Sequence, residues 1–289
     1  MNIACIILNY NDSDNCIELA KKIKSYRGLS SIVVVDNCST DKSLLDLKVY
    51  DEDLYYLIAT DHNGGYGYGN NFGMKYAFKK LGVDAVLICN PDVSFGENVV
   101  EHLSSAMEAQ PNCGVISAVQ YDRNGNEIDQ SAWSIPHVWN YIFSVGKLSS
   151  HIAVNFYQNA EVLHRAPVTK VDCVAGSLLL VSRNAFEKTG GYDENVFLYC
   201  EETILGCKMK KAGFNTYICS DIHYLHLHGV SISKSVTSAV KRKKLLLRSH
   251  HYTLKNYLNA NHFALLLDNV VGKIAIAEEY AKAVVAQTR

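Results

Sequence analysis

An α/β fold with a mainly parallel central sheet is predicted by three features of this chain. Short apolar runs of strand length recur, helical patterns alternate with them, and polar clusters stand where the apolar runs stop. The strand candidates are Ile3 to Leu8, Ser31 to Val35, Leu54 to Ala59 and Ala85 to Cys89, with Cys113 to Val119 after them. Between them Cys16, Leu19, Ala20 and Ile23 fall at helical spacing, as do Met74, Ala77, Phe78 and Leu81. Such alternation calls for right-handed crossovers between parallel strands. The unbroken apolar run from Ala85 to Cys89 reads as a strand covered on both faces. Pro91 lacks a backbone donor and ends that strand, so Asp92 is held at its carboxyl edge. Open α/β sheets keep their ligand crevice at that edge.

From Tyr121 to Lys170 the periodicity dissolves in a stretch that holds both tryptophans, Trp133 and Trp139. A long irregular excursion in a compact domain is usually functional or mobile. Order returns at Val171, with a strand from Ser177 to Val181 and a helix from Glu201 to Ala212 closed by Gly213. After Ser235, Lys241-Arg242-Lys243-Lys244 precedes three leucines, and Phe263, Leu266, Leu267, Val270, Val271 and Ile274 trace an amphipathic helix. Asp268 and Lys273 interrupt that helix, so it is not expected to span a membrane. Four clustered cations suit anionic headgroups, and the segment is expected to contact a membrane surface or a second copy of the chain.

Composition bounds the function. The 289 residues are 48% hydrophobic and 20% charged, enough for a full core, and a formal net charge of −1 gives no field to draw nucleic acid. Nine cysteines, an odd number with no C-x-x-C pair, argue for a reducing compartment and against a disulfide framework. The opening residues lack a basic leader, and a cytoplasmic location is expected.

Three polar signatures should converge on one sheet edge: Asn9-Tyr10-Asn11, the stretch from Asp36 to Asp41, and Asn90-Pro91-Asp92. Asp36 can accept from a base N–H or a ribose hydroxyl, Tyr10 can stack on a flat ring, and Asp41 reads as a helix cap. The glycine-rich run from Asn63 to Gly73 permits positive φ and close approach to a ligand, and the helix after it offers N–H groups to an anion. It is not a dinucleotide fingerprint. With Gly65 and Gly67 as the first pair, the third glycine would fall at Asn70, which counts against a dehydrogenase. Glu201 and Glu202 open a helix about 100° apart, and their spacing does not choose which faces a site. His223, His226 and His228 are a weak metal signal.

Taken in order, these motifs resemble the inverting, GT-A-fold glycosyltransferases of family 2, and within them the rhamnosyltransferase-like group. The C-terminal half adds Val171-Asp172 with Gly176-Ser177, Gly190-Gly191-Tyr192-Asp193-Glu194, and Phe197 to Glu202. Lys210 to Phe214 and His226-x-x-Gly229-x-Ser231 complete the series, so the resemblance runs from Ile3 to about Lys234. The chain departs from the family pattern in having Glu201-Glu202 for Glu-Asp, Asn90-Pro91-Asp92 for D-x-D, and Ile204 where an acid is frequent.

The resemblance implies a nucleotide-binding half (about 1–120), an acceptor half (about 121–234) and a helical C-terminal extension (235–289). It implies that Asn9, Tyr10, Asp36, Ser39, Asn63, Gly65, Tyr66, Asn71 and Asn90 hold a nucleotide-diphosphate sugar. Asp92 and His226 would hold Mg2+ or Mn2+. Glu202, standing at the family's aspartate, would take the acceptor proton, with Glu201 turned toward the protein. The helix dipole lowers a carboxyl pKa there, so a base at this position is expected to be ionised at neutral pH. The acceptor would be a glycan or lipid-linked glycan in surface polysaccharide synthesis, reached from the inner face of the membrane. A homo-oligomer is a further expectation. A nucleotidyltransferase making the activated sugar would need a basic, glycine-rich loop after the first strand, where Asn9-Tyr10-Asn11-Asp12 offers neither. A catalytically silent carbohydrate-binding relative would fail to hydrolyse donor.

Overall fold

The computed structural model describes residues 1–227 and 238–287. The expected boundary at 234–235 and positions His228, Gly229 and Ser231 lie outside the described residues. The strands are β1 (Ile3–Asn9), β2 (Leu29–Asp36), β3 (Tyr56–Ala59), β4 (Ala85–Cys89), β5 (Val93–Ser94), β6 (Cys113–Tyr121), β7 (Ala132–Trp133), β8 (Val168–Val171), β9 (Cys173–Val174), β10 (Leu178–Ser182) and β11 (Asn215–His226). The helices are α1 (Ser13–Ile23), α2 (Ser43–Lys48), α3 (Tyr66–Tyr76), α4 (Glu97–Ala109), α5 (Val138–Phe143), α6 (Ala160–Leu163), α7 (Arg183–Thr189), α8 (Glu201–Lys211), α9 (Ala239–Asn256) and α10 (His262–Gln287).

Among the described residues nine strands form one sheet in the order β3-β2-β1-β4-β10-β6-β11-β5, with β8 also paired to β11. β3, β2, β1 and β4 are parallel, and so are β6 and β11. β10 runs antiparallel between β4 and β6, and β5 and β8 run antiparallel to β11. The sheet is therefore mixed, with its continuous parallel block confined to the first four strands. The cause lies in the connections. Helical crossovers link β1 to β4, whereas the excursion after β6 re-enters the sheet from the opposite end.

Alternation along each strand builds two cores. Ile3, Cys5 and Ile7 of β1 pack with Val34, Leu87 and Leu180 beneath α1 and α4. Ala4 and Ile6 pack with Val33, Val35, Ile88 and Val181 beneath α3, α7 and α8. A period of two with both faces covered is what the continuous apolar runs required.

In the glycine-rich run the close approaches are to protein atoms. Gly65 alone in the run has a positive φ, at 92°, with ψ −174°, a region essentially restricted to glycine. A Cβ there would overlap the Phe197 carbonyl, which accepts the Tyr66 N–H at 3.0 Å. Further along α3, a Cβ on Gly73 would press on Ile6 and Val35, so this glycine lets the helix lie close on β1 and β2. The glycines thus serve packing against protein. Gly65→Ala is expected to cost about 3 kcal/mol through strain and overlap, seen in calorimetry as a melting temperature lower by roughly 6–12 °C.

The C-terminal helices α9 and α10 form a hairpin over Tyr141, Ile142 and Val145. Asp268 does not break the apolar stripe of α10. It faces inward, 4% exposed, with its carboxylate 3.1 Å from His250 Nδ1 and 2.7 Å from His251 Nδ1 on α9.

Candidate active site

The two-residue strand β5 explains why Asp92 and His226 meet. β5 follows Asp92 directly and pairs antiparallel with the end of β11, His226 opposite Val93 and Leu225 opposite Ser94. The Leu227 N–H then donates to the Asp92 carbonyl at 3.0 Å. The carboxylate of Asp92, 8% exposed, comes to 3.3 Å from His226 Nε2. One carboxylate oxygen beside one imidazole nitrogen suits Mn2+ or Mg2+ whose remaining positions are filled by phosphate oxygens and water. The residues fit such an ion. His223 does not join them; its ring lies 4.7 Å from that of Tyr121.

His226 lines a cleft of about 760 Å³ together with Tyr66, Asn90, Glu201 and Glu202. The two glutamates enter it at the first turn of α8, which is reached through two consecutive left-handed residues, Tyr199 (φ 73°) and Cys200 (φ 69°). Left-handed backbone is uncommon for side chains of this kind, and such strain tends to gather at functional sites. Glu201 is 4% exposed and its Oε1 has no hydrogen-bond partner among the described residues. Glu202 packs its carboxylate against Gly176, where a side chain would meet Oε1 at 2.6 Å. Tyr66 closes this corner by donating from its hydroxyl to the Gly176 carbonyl at 2.6 Å.

The other expected residues are not among those that line the cleft; most are held by bonds within the protein. Asn9 Nδ2 donates to Asp36 Oδ1 at 2.7 Å and to Ser39 Oγ at 3.0 Å, lacing the ends of β1 and β2. Asp36 also accepts from Ser39 Oγ at 2.6 Å and Ser39 N at 3.1 Å. Three of a carboxylate's roughly four acceptor positions are thereby used within the protein. Asp41 accepts the Ser43 N–H at 2.8 Å at the start of α2, although Lys42, not Asp41, occupies the N-cap position. Asn63 Oδ1 accepts from the Gly65 N–H and from Asn37 Nδ2, both at 3.0 Å. Asn71 exchanges bonds with the backbone of Tyr192 and donates to Glu194 at 2.9 Å, fixing the Gly190 to Glu194 loop. Tyr10, at the end of β1, is partly exposed.

A family model described as glycosyl transferase family 2 matches residues 4–189. The chain belongs to that family. A low-salt glycan biosynthesis hexosyltransferase of Haloferax volcanii is 26% identical over 226 residues, 78% of this chain and 67% of that protein. An N-acetylglucosaminyl-diphospho-decaprenol L-rhamnosyltransferase of Mycobacterium tuberculosis is 27% identical over 247 residues, 80% of this chain and 75% of its own. Among solved structures, the Pyrobaculum calidifontis mannosyltransferase in complex with GDP-Man and Mn2+ superposes with a TM-score of 0.58 at 17% identity, covering 99% of this chain and 75% of that one. The GT-A fold is the same.

Several cleft residues of this glycosyltransferase were not legible as such in the sequence. Gln120, Ser177 and Tyr224 form a buried triangle, with Ser177 Oγ 3.0 Å from Gln120 Oε1 and 2.7 Å from the Tyr224 hydroxyl. Trp133 donates to Thr203 Oγ1 at 3.1 Å and walls the cleft. From α9, Lys243 turns inward to donate to the Val145 carbonyl at 2.7 Å, while Lys241 and Lys244 stay exposed. The basic block is thus divided between the cleft and the surface.

Burial works against the helix dipole expected to keep a base at this position ionised at neutral pH. Burial, and then the neighbouring Glu202 charge, push Glu201 from 4.5 up to about 8, and burial raises Glu202 as well. Backbone N–H groups oppose this but do not outweigh desolvation. Folding therefore takes up protons at these carboxyls. The stability of the ligand-free protein is fully present below the unfolded value near 4.5 and falls as pH rises toward 8. Glu201→Gln removes the carboxyl pushed up to about 8. Its melting temperature relative to wild type is expected to rise between pH 5 and 8 in a calorimetric series; a constant difference would show that Glu201 ionises freely.

Proposed function

We propose that this glycosyltransferase moves a hexose or deoxyhexose from a nucleoside diphosphate to a hydroxyl of a glycan or lipid-linked glycan, with inversion, in the assembly of a surface polysaccharide. The observation that carries the reading is the convergence of Glu202 and the Asp92–His226 pair on one cleft. In the reaction the acceptor oxygen bonds to the anomeric carbon while the bond from that carbon to the diphosphate oxygen breaks. The bonding pair leaves with the nucleoside diphosphate, and the acceptor proton passes to the Glu202 carboxylate. A single displacement inverts the centre. Bound to Asp92 and His226, Mn2+ or Mg2+ would neutralise charge gathering on the diphosphate.

The other residues have positioning parts in this scheme. Tyr10 and the remaining acceptor position of Asp36 receive the nucleoside at the ends of β1 and β2, and Asn90 lines the cleft itself. Trp133, Tyr157 and Phe156 supply flat and apolar surface suited to sugar faces and to the stem of an acceptor. The mycobacterial relative is named for a lipid-linked acceptor and for rhamnose, which supports both classes here.

The test is to incubate the purified chain with dTDP-, UDP- and GDP-sugars and Mn2+, following nucleoside diphosphate release and the anomeric configuration of any product by NMR. One nucleotide is expected to support release and transfer, with inverted configuration. Retained configuration would sink the single-displacement scheme. A melting shift with donor but no turnover on any acceptor or on water would favour the silent binding relative. Pyrophosphate release from a nucleoside triphosphate and a sugar phosphate would favour the nucleotidyltransferase.

A further inference from the structure

We infer that the outward face of the C-terminal hairpin is a docking surface for an anionic lipid bilayer. In this arrangement α10 supplies the apolar side chains that enter the interface and α9 the cations that meet lipid phosphates. On α10, Phe263, Leu266, Val270 and Ile274 are 67%, 53%, 54% and 49% exposed. Their spacing of three, four and four residues aligns them on one helix face, and Ala277 continues it. Ala264, Asp268, Val271 and Ala275 hold the opposite, buried face. The inward turn of Asp268 leaves the outer stripe without an acid. Trp139, 48% exposed on α5, widens the stripe, its ring 6.3 Å from that of Phe263.

The neighbouring helix carries the matching charge. Lys241, Lys244, Arg248 and Lys255 of α9 are all exposed, at spacings of three, four and seven residues. Lys244 Nζ lies 5.9 Å from the ring centroid of Tyr280, itself half exposed on α10, so the basic and apolar stripes meet. Residues 239–289 hold nine Lys or Arg against three Asp or Glu, a net +6; the whole chain is −1, so the remainder is −7. None of the three acids opposes the outward cations. Asp268 sits between two histidines, Glu278 accepts the Lys147 and Leu148 N–H groups, and Glu279 pairs with Lys282.

This segregation selects the occupant. A symmetric pairing of two such faces would set +6 against +6, whereas an anionic leaflet complements the cations and accepts the apolar stripe. Aromatic side chains beside the cations are the kind that settle at a membrane interface. No helix among the described residues is long and apolar enough to cross a membrane, so the contact lies in the plane of the surface. Lys243 and Leu246 of the same α9 line the cleft. On the transfer reading above, docking would therefore hold the acceptor end of the cleft against the leaflet.

Sedimentation of the full chain with vesicles tests the inference without donor or acceptor, so its outcome is separate from that of the transfer assay. Vesicles of phosphatidylcholine with one quarter phosphatidylglycerol are expected to bind at least tenfold tighter than phosphatidylcholine alone. Raising salt from about 0.05 to 0.5 M should release the protein. The double variants Val270→Asp with Ile274→Asp, and Lys244→Glu with Arg248→Glu, are each expected to lose binding at least tenfold while circular dichroism stays unchanged. If the aspartate pair disturbs the fold, Phe263→Ser with Leu266→Ser replaces it at positions equally open to solvent. Equal binding to both vesicles, or wild-type binding by the variants, would overturn the proposal. So would a dimer in analytical ultracentrifugation that Val270→Asp with Ile274→Asp dissociates while vesicles are ignored, which would assign the face to a second copy.

Discussion

Glu202→Gln is expected to lower sugar transfer by about 10²- to 10⁴-fold, the range that a positioned base contributes, with donor affinity and melting temperature close to wild type. The amide keeps the shape that packs against Gly176 but cannot accept the acceptor's proton. Glu201→Gln is expected to transfer sugar within about tenfold of wild type, because Glu201 is the more deeply enclosed of the pair. Since burial raises the Glu202 carboxyl, single-turnover rates should still be climbing with pH above the ordinary carboxylate range. A reversed pattern, with Glu201→Gln inactive and Glu202→Gln active, would move the proton acceptor to Glu201. Normal transfer by both would place it elsewhere.

The residues most legible in the sequence were those whose chemistry and local pattern say the same thing. Ala85 to Cys89 is a fully buried strand with the bounds its apolar run predicted, and Asp92 follows at its carboxyl edge because Pro91 cannot continue the ladder. The helix opening at Glu201 was equally plain. What could not be read were long-range pairings. Nothing near His226 announces that two residues after Asp92 will form β5 and draw the end of β11 alongside. The antiparallel insertion of β10 was hidden for the same reason, since periodicity reports which faces are covered and not the direction of the neighbour.

The glycine-rich run shows what sequence leaves unsaid. Glycine permits close approach, but the sequence does not say to what, and here the approaching groups are the Phe197 carbonyl and the side chains of β1 and β2. At the glutamates two effects compete. The helix start is visible in sequence and favours charge, whereas burial of both carboxyls, and the Glu202 charge beside Glu201, are tertiary effects that push the other way. Lys243 shows the same limit within one basic block, because the turn of α9 decides which cation enters the cleft.

Asp92→Ala is expected to abolish Mn2+-dependent donor binding, weakening it at least about 100-fold and carrying transfer down with it. The carboxylate is the sole acidic member of the pair and is 3.3 Å from His226 Nε2. Without it, a neutral imidazole alone faces a dication, and the diphosphate's charge has no ion to bridge it to the protein. The local backbone should persist, because the Leu227 N–H bonds the Asp92 carbonyl rather than its side chain and β5 pairs through Val93 and Ser94. Asp92→Asn, which keeps the shape, guards against a folding defect and should also lose the metal response. His226→Ala should weaken the response less, about 10- to 100-fold, since the carboxylate remains. The measurement is the Mn2+-induced rise in melting temperature with a nucleoside diphosphate present, compared with EDTA. If wild-type transfer is undiminished in EDTA, or Asp92→Ala retains the Mn2+ response, the ion is not held by this pair, and the acid after β4 acts on the substrate directly.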